Sequence, residues 1–159
     1  MIITLEGPIK SGKSTLFDAL HMHEDVLKPL RRHLHWFWYP KRKWTLTDYA
    51  CDQRLAETFT HMYDYEDDLV ITDRIWPVST VVYGRLRKET FSELILTPPW
   101  LADFRVIHLP GDDDLPETPG YYVRIQELQF LDVPCITIPR IPIAERTQKA
   151  LEQIIAWCI

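Results

Sequence analysis

The sequence predicts a three-layer α/β fold, in which helices cover both faces of a parallel β-sheet. Five apolar runs of strand length recur along the chain, and stretches with helical spacing separate them. Unbroken β-branched and aromatic runs are typical of strands buried on both faces, and strands that alternate with helices form parallel sheets. The chain is 159 residues long, and we therefore expect a single domain over 1–159.

The strands follow from the apolar runs and the helices from the spacing of their apolar residues. Strands are predicted at 2–5, 33–39, 69–72, 105–109 and 134–138. Leu16, Leu20 and Leu27 define the first helix, which ends before Pro29. Helices are predicted at 14–27, 48–63, 79–89, 90–96, 121–131 and 144–157. The acidic, proline-rich stretch 110–120 is predicted to be a surface loop.

Net charge and cysteine usage exclude several classes of protein. The chain has 18 basic and 23 acidic residues, and its net charge of −5 is unfavourable for a general nucleic-acid binder. Cys51, Cys135 and Cys158 lie far apart without a CxxC pair, which argues against a disulfide framework or a zinc site. No apolar run approaches the roughly 18 residues of a membrane span. We therefore expect a cytoplasmic protein in a reducing compartment, with no membrane partner.

One stretch, 31–44, departs from this acidic average and is called the basic segment below. It contains five basic residues and no acidic residue. The basic residues are Arg31, Arg32, Lys41, Arg42 and Lys43, and the aromatic residues among them are Trp36, Phe37, Trp38, Tyr39 and Trp44. Cations beside flat rings are typical of a site for a base with a phosphate. A buried aromatic strand followed by a solvated charge run explains the same pattern, and both interpretations stay open.

A phosphate-binding motif begins directly after the first predicted strand. Residues 7–14, GPIKSGKS, match the pattern GxxxxGK[ST] and open the first predicted helix. In such a loop the backbone N–H groups and the lysine bind the phosphates of a nucleoside triphosphate, and the hydroxyl binds Mg²⁺. The motif predicts ATP and Mg²⁺ as ligands. The residues assigned to ATP are Gly7, Lys10, Ser11, Gly12, Lys13, Ser14 and Thr15, with Ser14 also assigned to the metal.

Asp73 and Arg74 come directly after the third predicted strand. The carboxyl ends of the strands face the ligand crevice in an open parallel sheet, so an acid and a cation at this point are close to a bound nucleotide. We assign Asp73 to a magnesium-bound water and Arg74 to a phosphate. A helix-capping aspartate beside a surface arginine is the alternative.

Four stretches, taken in order, resemble the thymidylate kinase and deoxynucleoside kinase family of P-loop enzymes. They are LEGPIKSGKST at 5–15, YPKR at 39–42, ACDQRLAE at 50–57 and DRIWPVSTVVYGRL at 73–86. The resemblance covers most of the chain and implies a five-stranded parallel sheet of the nucleoside monophosphate kinase type. It also implies that Arg42 and Arg54 bind the acceptor.

The sequence departs from the family pattern at several positions. Ile9 stands where the family's thymidylate kinases usually carry an acid that contacts the sugar 3′-hydroxyl. Ser79 and Tyr83 fall one residue later than the pattern. The lid loop, 110–120, is acidic where one branch of the family places arginines. Lys10 occupies the position of the basic phosphate-loop residue of the other branch, which the sequence resembles more.

The residues and the resemblance together predict a kinase that moves the γ-phosphate of ATP to a pyrimidine deoxynucleotide such as thymidylate. The catalytic candidates are Lys10, Lys13, Asp73 and Arg74. The acceptor-binding candidates are Arg42, Arg54, Trp38, Tyr39, Phe59 and Tyr83. The expected partners are ATP and a nucleotide, with DNA contact through the basic segment and a homodimer as open options.

Three other functions stay open. Nucleoside kinases of the family place a glutamate just after the second strand as general base, whereas YPKRKW at that point is basic, so a deoxynucleoside acceptor is less favoured. Ile9 and the basic segment both suit a polymeric acceptor, such as a hydroxymethyl-pyrimidine base within DNA. A P-loop regulator without transfer activity is the third alternative. So compact a kinase is also compatible with a viral source.

Overall fold

The computed structural model describes residues 1–38 and 46–159, and within 46–52 it describes the backbone alone. The described strands are β1 (Ile2–Glu6), β2 (His33–Phe37), β3 (Asp68–Thr72), β4 (Phe104–His108) and β5 (Cys135–Thr137). They form one five-stranded sheet in the order β2-β3-β1-β4-β5, and every pair of neighbours is parallel. The predicted five-stranded parallel sheet is confirmed.

Helices cover both faces of this sheet. The described helices are α1 (Lys13–His21), α2 (Glu24–Leu27), α3 (Leu46–Thr60), α4 (Ser79–Leu86), α5 (Glu93–Leu96), α6 (Thr118–Phe130) and α7 (Ile143–Cys158). On one face α1 packs against α7, and on the other α4 packs against α6, with α3 and α5 beside α4. The three-layer α/β prediction is confirmed.

The side chains of the central strands alternate between two buried clusters. Ile2 and Val70 belong to the cluster on the α4 and α6 face, whereas Ile3 and Ile71 belong to the cluster on the α1 and α7 face. All four are fully buried. Burial of such a side chain contributes about 1.5–3 kcal/mol, so both faces favour apolar residues. This explains why the strands read as unbroken apolar runs in the sequence.

Several predicted helix boundaries differ from the structure by about three residues or more, and two of these differences have a clear physical cause. The helix predicted at 14–27 ends at His21, because the His23 N–H bonds to the Leu20 carbonyl at 2.9 Å and tightens the chain into a turn before α2. Helix α6 begins at Thr118, three residues earlier than predicted, with Pro119 in its first turn. Proline suits the first turn of a helix, since its fixed φ is helical and its missing N–H has no partner there.

Two further expectations concern cysteines and membranes. Cys135 and Cys158 are free thiols, and the side chain of Cys51 lies outside the described residues. Among the described helices, none combines the length and the apolar character that a bilayer span requires.

Candidate active site

The phosphate motif forms the loop between β1 and α1. Lys10 and Gly12 both have left-handed backbones, with φ of 61° and 93°. Left-handed residues within a turn are a feature of the concave backbone nests that bind anions. Gly7 packs against the next strand so closely that a Cβ at this position would lie 2.1 Å from the Leu109 carbonyl oxygen. The loop conformation therefore depends on the two glycines of the motif.

A cavity of about 420 Å³ opens at the N-terminal end of α1. It is lined by Ile9, Lys10, Gly12, Lys13, Ser14, Thr15 and Arg74. The structure thus brings Arg74 from the end of β3 to the residues that the sequence assigned to ATP. Gly7 and Ser11, assigned to ATP as well, are buried behind the lining. The partial positive charge of a helix N-terminus favours an anion at this position.

Lys13 lies in the first turn of α1 and folds back over the loop. Its Nζ donates hydrogen bonds to the Gly7 carbonyl at 2.7 Å and the Pro8 carbonyl at 2.8 Å, and it lies 3.4 Å from Ser11 Oγ. The partners of the amine in these three contacts are therefore two backbone carbonyl oxygens and one hydroxyl oxygen. Such partners are exchangeable for the oxygens of a phosphate.

The charge of Lys13 depends on its surroundings. Burial, helped by the neighbouring Arg74, lowers the pKa of Lys13 to about 8. Three acids act in the opposite direction, namely Glu6, Asp73 and Glu117. With this pKa the amine is still mostly protonated at neutral pH, so a cation faces the cavity.

Two arginines that sequence reasoning missed support the loop. Arg146 on α7 is buried and donates a hydrogen bond of 2.9 Å to the Ser11 carbonyl. Arg140, just before α7, lies 3.3 Å from the Lys10 carbonyl and forms an ion pair of 3.1 Å with Asp112 of the lid loop. Both lie far along the chain from the loop, and no local sequence pattern indicates either contact.

Asp73 directly follows β3, and its side chain is almost fully buried. Its negative charge raises the pKa of Lys13, which places the two groups within electrostatic reach of each other. Ser14 lines the cavity. A hydroxyl and a carboxylate are oxygen ligands of the kind that Mg²⁺ prefers. The described residues include no cluster of three or more His, Cys, Asp or Glu side chains suited to a metal.

Glu6, the last residue of β1, is a buried acid that sequence reasoning did not assign to the site. Its carboxylate accepts hydrogen bonds from the Thr4 hydroxyl at 2.6 Å, the Ile75 N–H at 2.7 Å and the Ser79 hydroxyl at 2.5 Å. Burial raises the pKa of Glu6 to about 7, against these three hydrogen bonds and the charge of Arg74. The only sequence signal is an acid in an apolar strand directly before the motif.

The acceptor candidates are spread over the structure. Arg54 is exposed on α3 and does not line the cavity. Phe59 is fully buried in an aromatic cluster, with its ring 5.0 Å from that of Trp76, so packing accounts for its position. Tyr39 and Arg42 lie outside the described residues. Acceptor binding by these four residues stays a prediction.

The aromatic residues of β2 and its end divide between the two faces of the sheet, as strand alternation requires. Trp36 and Trp38 both pack edge-on against Phe17 of α1, with ring centroids 5.4 and 4.4 Å away. Phe37 points to the other face and packs against Phe59 at 5.2 Å. Trp38 remains about half exposed. The two faces separate Trp38 from Phe59, so they do not form one stacking surface for a base.

Tyr83 lies half-buried on α4 beside the site. Its ring stands edge-on to Tyr121 at 6.2 Å, and its hydroxyl hydrogen-bonds Tyr121. Burial raises the pKa of Tyr83, and the nearby charge of Glu117 adds to this shift. Tyr83 is therefore part of the buried polar group around Glu6.

The first two cations of the basic segment contact an acidic turn. Arg31 donates a hydrogen bond of 3.1 Å to the Glu66 carbonyl, and Arg32 lies 3.9 Å from the carboxylate of Asp67. Both precede β2, whereas the cavity is at the carboxyl ends of the strands. The remaining cations of the segment, within 39–44, lie outside the described residues.

Solved structures with similar folds include deoxynucleotide-handling kinases. Deoxyadenosine kinase from M. mycoides has a TM-score of 0.57 at 11% identity, over 98% of this chain and 99% of that one. Thymidylate kinase from Ehrlichia chaffeensis has a TM-score of 0.56 at 14% identity, over 97% of both chains. Kti12 from Chaetomium thermophilum, in complex with ADP-AlF3, has a TM-score of 0.55 at 15% identity, over 100% of both chains.

These identities are low, and sequence comparison adds no closer relative. No protein-family model and no curated protein matches the chain significantly. Likeness at this level shows the fold, and it does so over nearly the whole length of the chain. The chain has the fold of the P-loop nucleotide kinases, so the resemblance inferred from its four motifs is confirmed at the level of the fold.

Proposed function

We propose that the protein is an ATP-dependent phosphotransferase that moves the γ-phosphate to a pyrimidine deoxynucleotide. The observation that carries this proposal is the cavity at the N-terminus of α1, where the loop lysine Lys13 and the strand-end arginine Arg74 line one space. Two cations from different elements can neutralise the charge that moves from donor to acceptor during phosphoryl transfer.

The donor is held by the loop and by Lys13. The amine exchanges its hydrogen bonds to the Gly7 and Pro8 carbonyls for bonds to phosphate oxygens, and its charge then stabilises the β- and γ-phosphates. Ser14 and Asp73 would hold Mg²⁺, which supplies further neutralisation of the phosphate charge. Lys10, exposed at the tip of the loop, donates a hydrogen bond to the phosphoryl group that is transferred.

The acceptor is held by arginines. Arg74 donates to the acceptor phosphate from the side of β3, and Arg42 and Arg54 are the further candidates. A phosphate oxygen is already a nucleophile at neutral pH, so the acceptor needs no general base. This supports a nucleotide over a nucleoside, because the stretch YPKRKW after β2 supplies cations and no carboxylate.

A radiolabel experiment tests the proposal. The protein is incubated with γ-labelled ATP and Mg²⁺ against deoxynucleosides, their monophosphates, and plain or hydroxymethylated DNA. We expect label in a pyrimidine deoxynucleoside diphosphate, and none with Lys13→Met as the control. Label in no acceptor, with ATP still bound, would favour a nucleotide-dependent regulator instead.

DNA is the second acceptor that the experiment distinguishes. A polymer contacted through the basic segment loses affinity with salt, with a slope of about 0.7–0.9 for each neutralised phosphate. Arg31 and Arg32 already contact the acidic turn before β3, which leaves fewer cations for a polyanion. We therefore expect a shallow salt dependence. A steep dependence with label in hydroxymethylated DNA would replace the nucleotide acceptor.

A further inference from the structure

Glu6 joins four parts of the fold through one carboxylate. The side chain belongs to β1, and it accepts hydrogen bonds from Thr4 of the same strand, from the Ile75 N–H after β3 and from Ser79 at the start of α4. Ser79 Oγ lies 2.9 Å from the hydroxyl of Tyr121, in the first turn of α6. All of these contacts are buried.

The direction of each hydrogen bond follows from the chemistry of the groups. In its ionised form, which prevails above the pKa of about 7, Glu6 has no hydrogen to donate, so the single hydroxyl hydrogen of Ser79 is used on its carboxylate. Ser79 must then accept from Tyr121, and the order of donation is Tyr121 to Ser79 to Glu6. Arg74 and Lys13 are cations that interact electrostatically with Glu6.

The network touches both sides of the candidate site. Glu6 directly precedes Gly7, the first residue of the phosphate loop, and Ile75 directly follows Arg74, which lines the cavity. The same carboxylate therefore fixes the loop that holds the donor and the loop that carries Arg74. Tyr121 extends this connection to α6, which begins at Thr118, within the last residues of the predicted lid loop.

We infer that Glu6 is a positioning residue, which acts through Ile75, Ser79 and Tyr121 to hold Arg74 and the start of α6 in place against the phosphate loop. Its effect on turnover rests on the proposed function, whereas the network itself does not. A purely structural buried acid is a poor stabiliser, because apolar packing of the same volume often serves as well. Positioning explains the acid better, since a shift of about 1 Å in a reacting group costs about 10²-fold in rate.

Glu6→Gln tests the connection without a change of size. The amide oxygen still accepts from Ile75, but the amide nitrogen donates to Ser79, which then donates to Tyr121, so the tyrosine hydroxyl loses Ser79 as an acceptor. We expect kcat to fall about tenfold and the acceptor KM to rise, while the affinity for ADP stays within about threefold. Tyr121→Phe should lower kcat in the wild-type background and have little further effect beside Glu6→Gln.

Hydrogen exchange of the backbone amides tests the same network in the absence of a phosphate acceptor. Peptides that cover 73–79 and 118–122 should exchange at least about fivefold faster in Glu6→Gln, while those of β4 and β5 stay unchanged. Asp68→Asn is the matched control, since Asp68 is a buried acid at the opposite end of β3, 3.0 Å from His33. It should lower the melting temperature without changing kcat or the exchange of 73–79.

The outcomes test the positioning role of Glu6 separately from the proposed phosphotransferase function. Equal acceleration of all peptides, additive effects of Glu6→Gln and Tyr121→Phe, or the same kinetic loss in Asp68→Asn would each overturn the positioning role. If the wild-type protein transfers phosphate to no acceptor, the proposed function fails, and the exchange experiment still decides whether Glu6 holds the two loops together.

Discussion

The guanidinium group of Arg146 occupies the space that a side chain on Gly12 would fill. A Cβ at Gly12 would lie 2.7 Å from one guanidinium nitrogen, and that same nitrogen donates to the Ser11 carbonyl at 2.9 Å. Gly12 also has a φ of 93°, which disfavours any side chain. Helix α7 is therefore fitted directly against the back of the phosphate loop.

Removal of the Arg146 charge should weaken nucleotide binding. We expect Arg146→Gln to raise the Kd for ADP by about tenfold or more, because a buried hydrogen bond from a charged group contributes about 1.5–3 kcal/mol and here holds the loop backbone. Isothermal titration with ADP measures the effect. Arg32→Gln, at an exposed ion pair of 3.9 Å, is the control and should leave the Kd unchanged. An unchanged Kd with a lower melting temperature would limit Arg146 to the docking of α7.

Replacement of Lys13 should abolish transfer and leave the fold intact. Lys13→Met keeps the aliphatic stem but removes the cation, whose hydrogen-bond partners are the Gly7 and Pro8 carbonyls and the Ser11 hydroxyl. We expect a loss of at least about 10²-fold in kcat, the scale for one preorganised charge in a site. Label transfer measures the rate, and circular dichroism checks the fold. Turnover near the wild-type rate would contradict the assignment of the loop.

Arg74 and Arg54 should respond differently to substitution. Arg74 lines the cavity, so Arg74→Gln should lower kcat by about 10²-fold through loss of a charge near the transferring group. Arg54 is exposed on α3, so Arg54→Ala should raise only the acceptor KM while the Kd for ADP stays constant. Steady-state kinetics with titration of ADP separates these cases. A matching loss of ADP affinity in Arg54→Ala would reassign this arginine to the donor.

Local patterns were sufficient to predict the sheet, the loop between β1 and α1, and the position of Arg74 beside that loop. Each depends on neighbours in the chain: apolar runs for the strands, the spacing of Gly7, Gly12 and Lys13 for the loop, and a charged pair at a strand end for Arg74. The sequence of a few neighbouring residues is enough to determine features of this kind. The carboxyl ends of parallel strands then bring Arg74 and the loop together without further information.

Contacts between distant parts of the chain could not be predicted in this way. Arg146 lies 135 residues from Ser11, and helical spacing places it on α7 without indicating what it contacts. Glu6 follows four residues of an apolar strand, and its partner Ser79 lies 73 residues away. Phe59 has spacing that suits the core as well as a base site, and only its packing against Trp76 indicates the core.

Glu6 and His108 are opposite each other in the register of β1 and β4, and both are buried titratable groups. Burial raises the pKa of Glu6 from 4.5 to about 7. Burial lowers the pKa of His108 from 6.5 to about 4. Its Nδ1 lies 3.2 Å from the Thr137 hydroxyl, and within the described part of the chain Nε2 has no hydrogen-bond partner. His108 therefore contributes most to the stability of the fold at the upper end of the acidic pH range, and Glu6 contributes most at the lower end.

The signs follow from proton binding in the two states. Between pH 4 and 6.5 the unfolded chain binds a proton at His108 that the folded chain does not, so the contribution of His108 to stability is lost as the pH falls. Between pH 4.5 and 7 the folded chain holds a proton at Glu6 that the unfolded chain releases, so the contribution of Glu6 is lost as the pH rises. Each shift corresponds to about 3 kcal/mol at most.

Single substitutions should therefore reveal two opposite slopes in the free energy of unfolding. Relative to wild type, His108→Leu should gain stability as the pH falls from 6.5 to 4, whereas Glu6→Gln should gain stability as the pH rises from 4.5 to 7. Urea denaturation at several pH values measures both differences, and the other titrating groups cancel in the comparison with wild type. In the wild-type protein the contributions of Glu6 and His108 run in opposite directions and partly offset each other. Variant profiles that run parallel to the wild-type profile would mean that neither group has a shifted pKa in the folded protein.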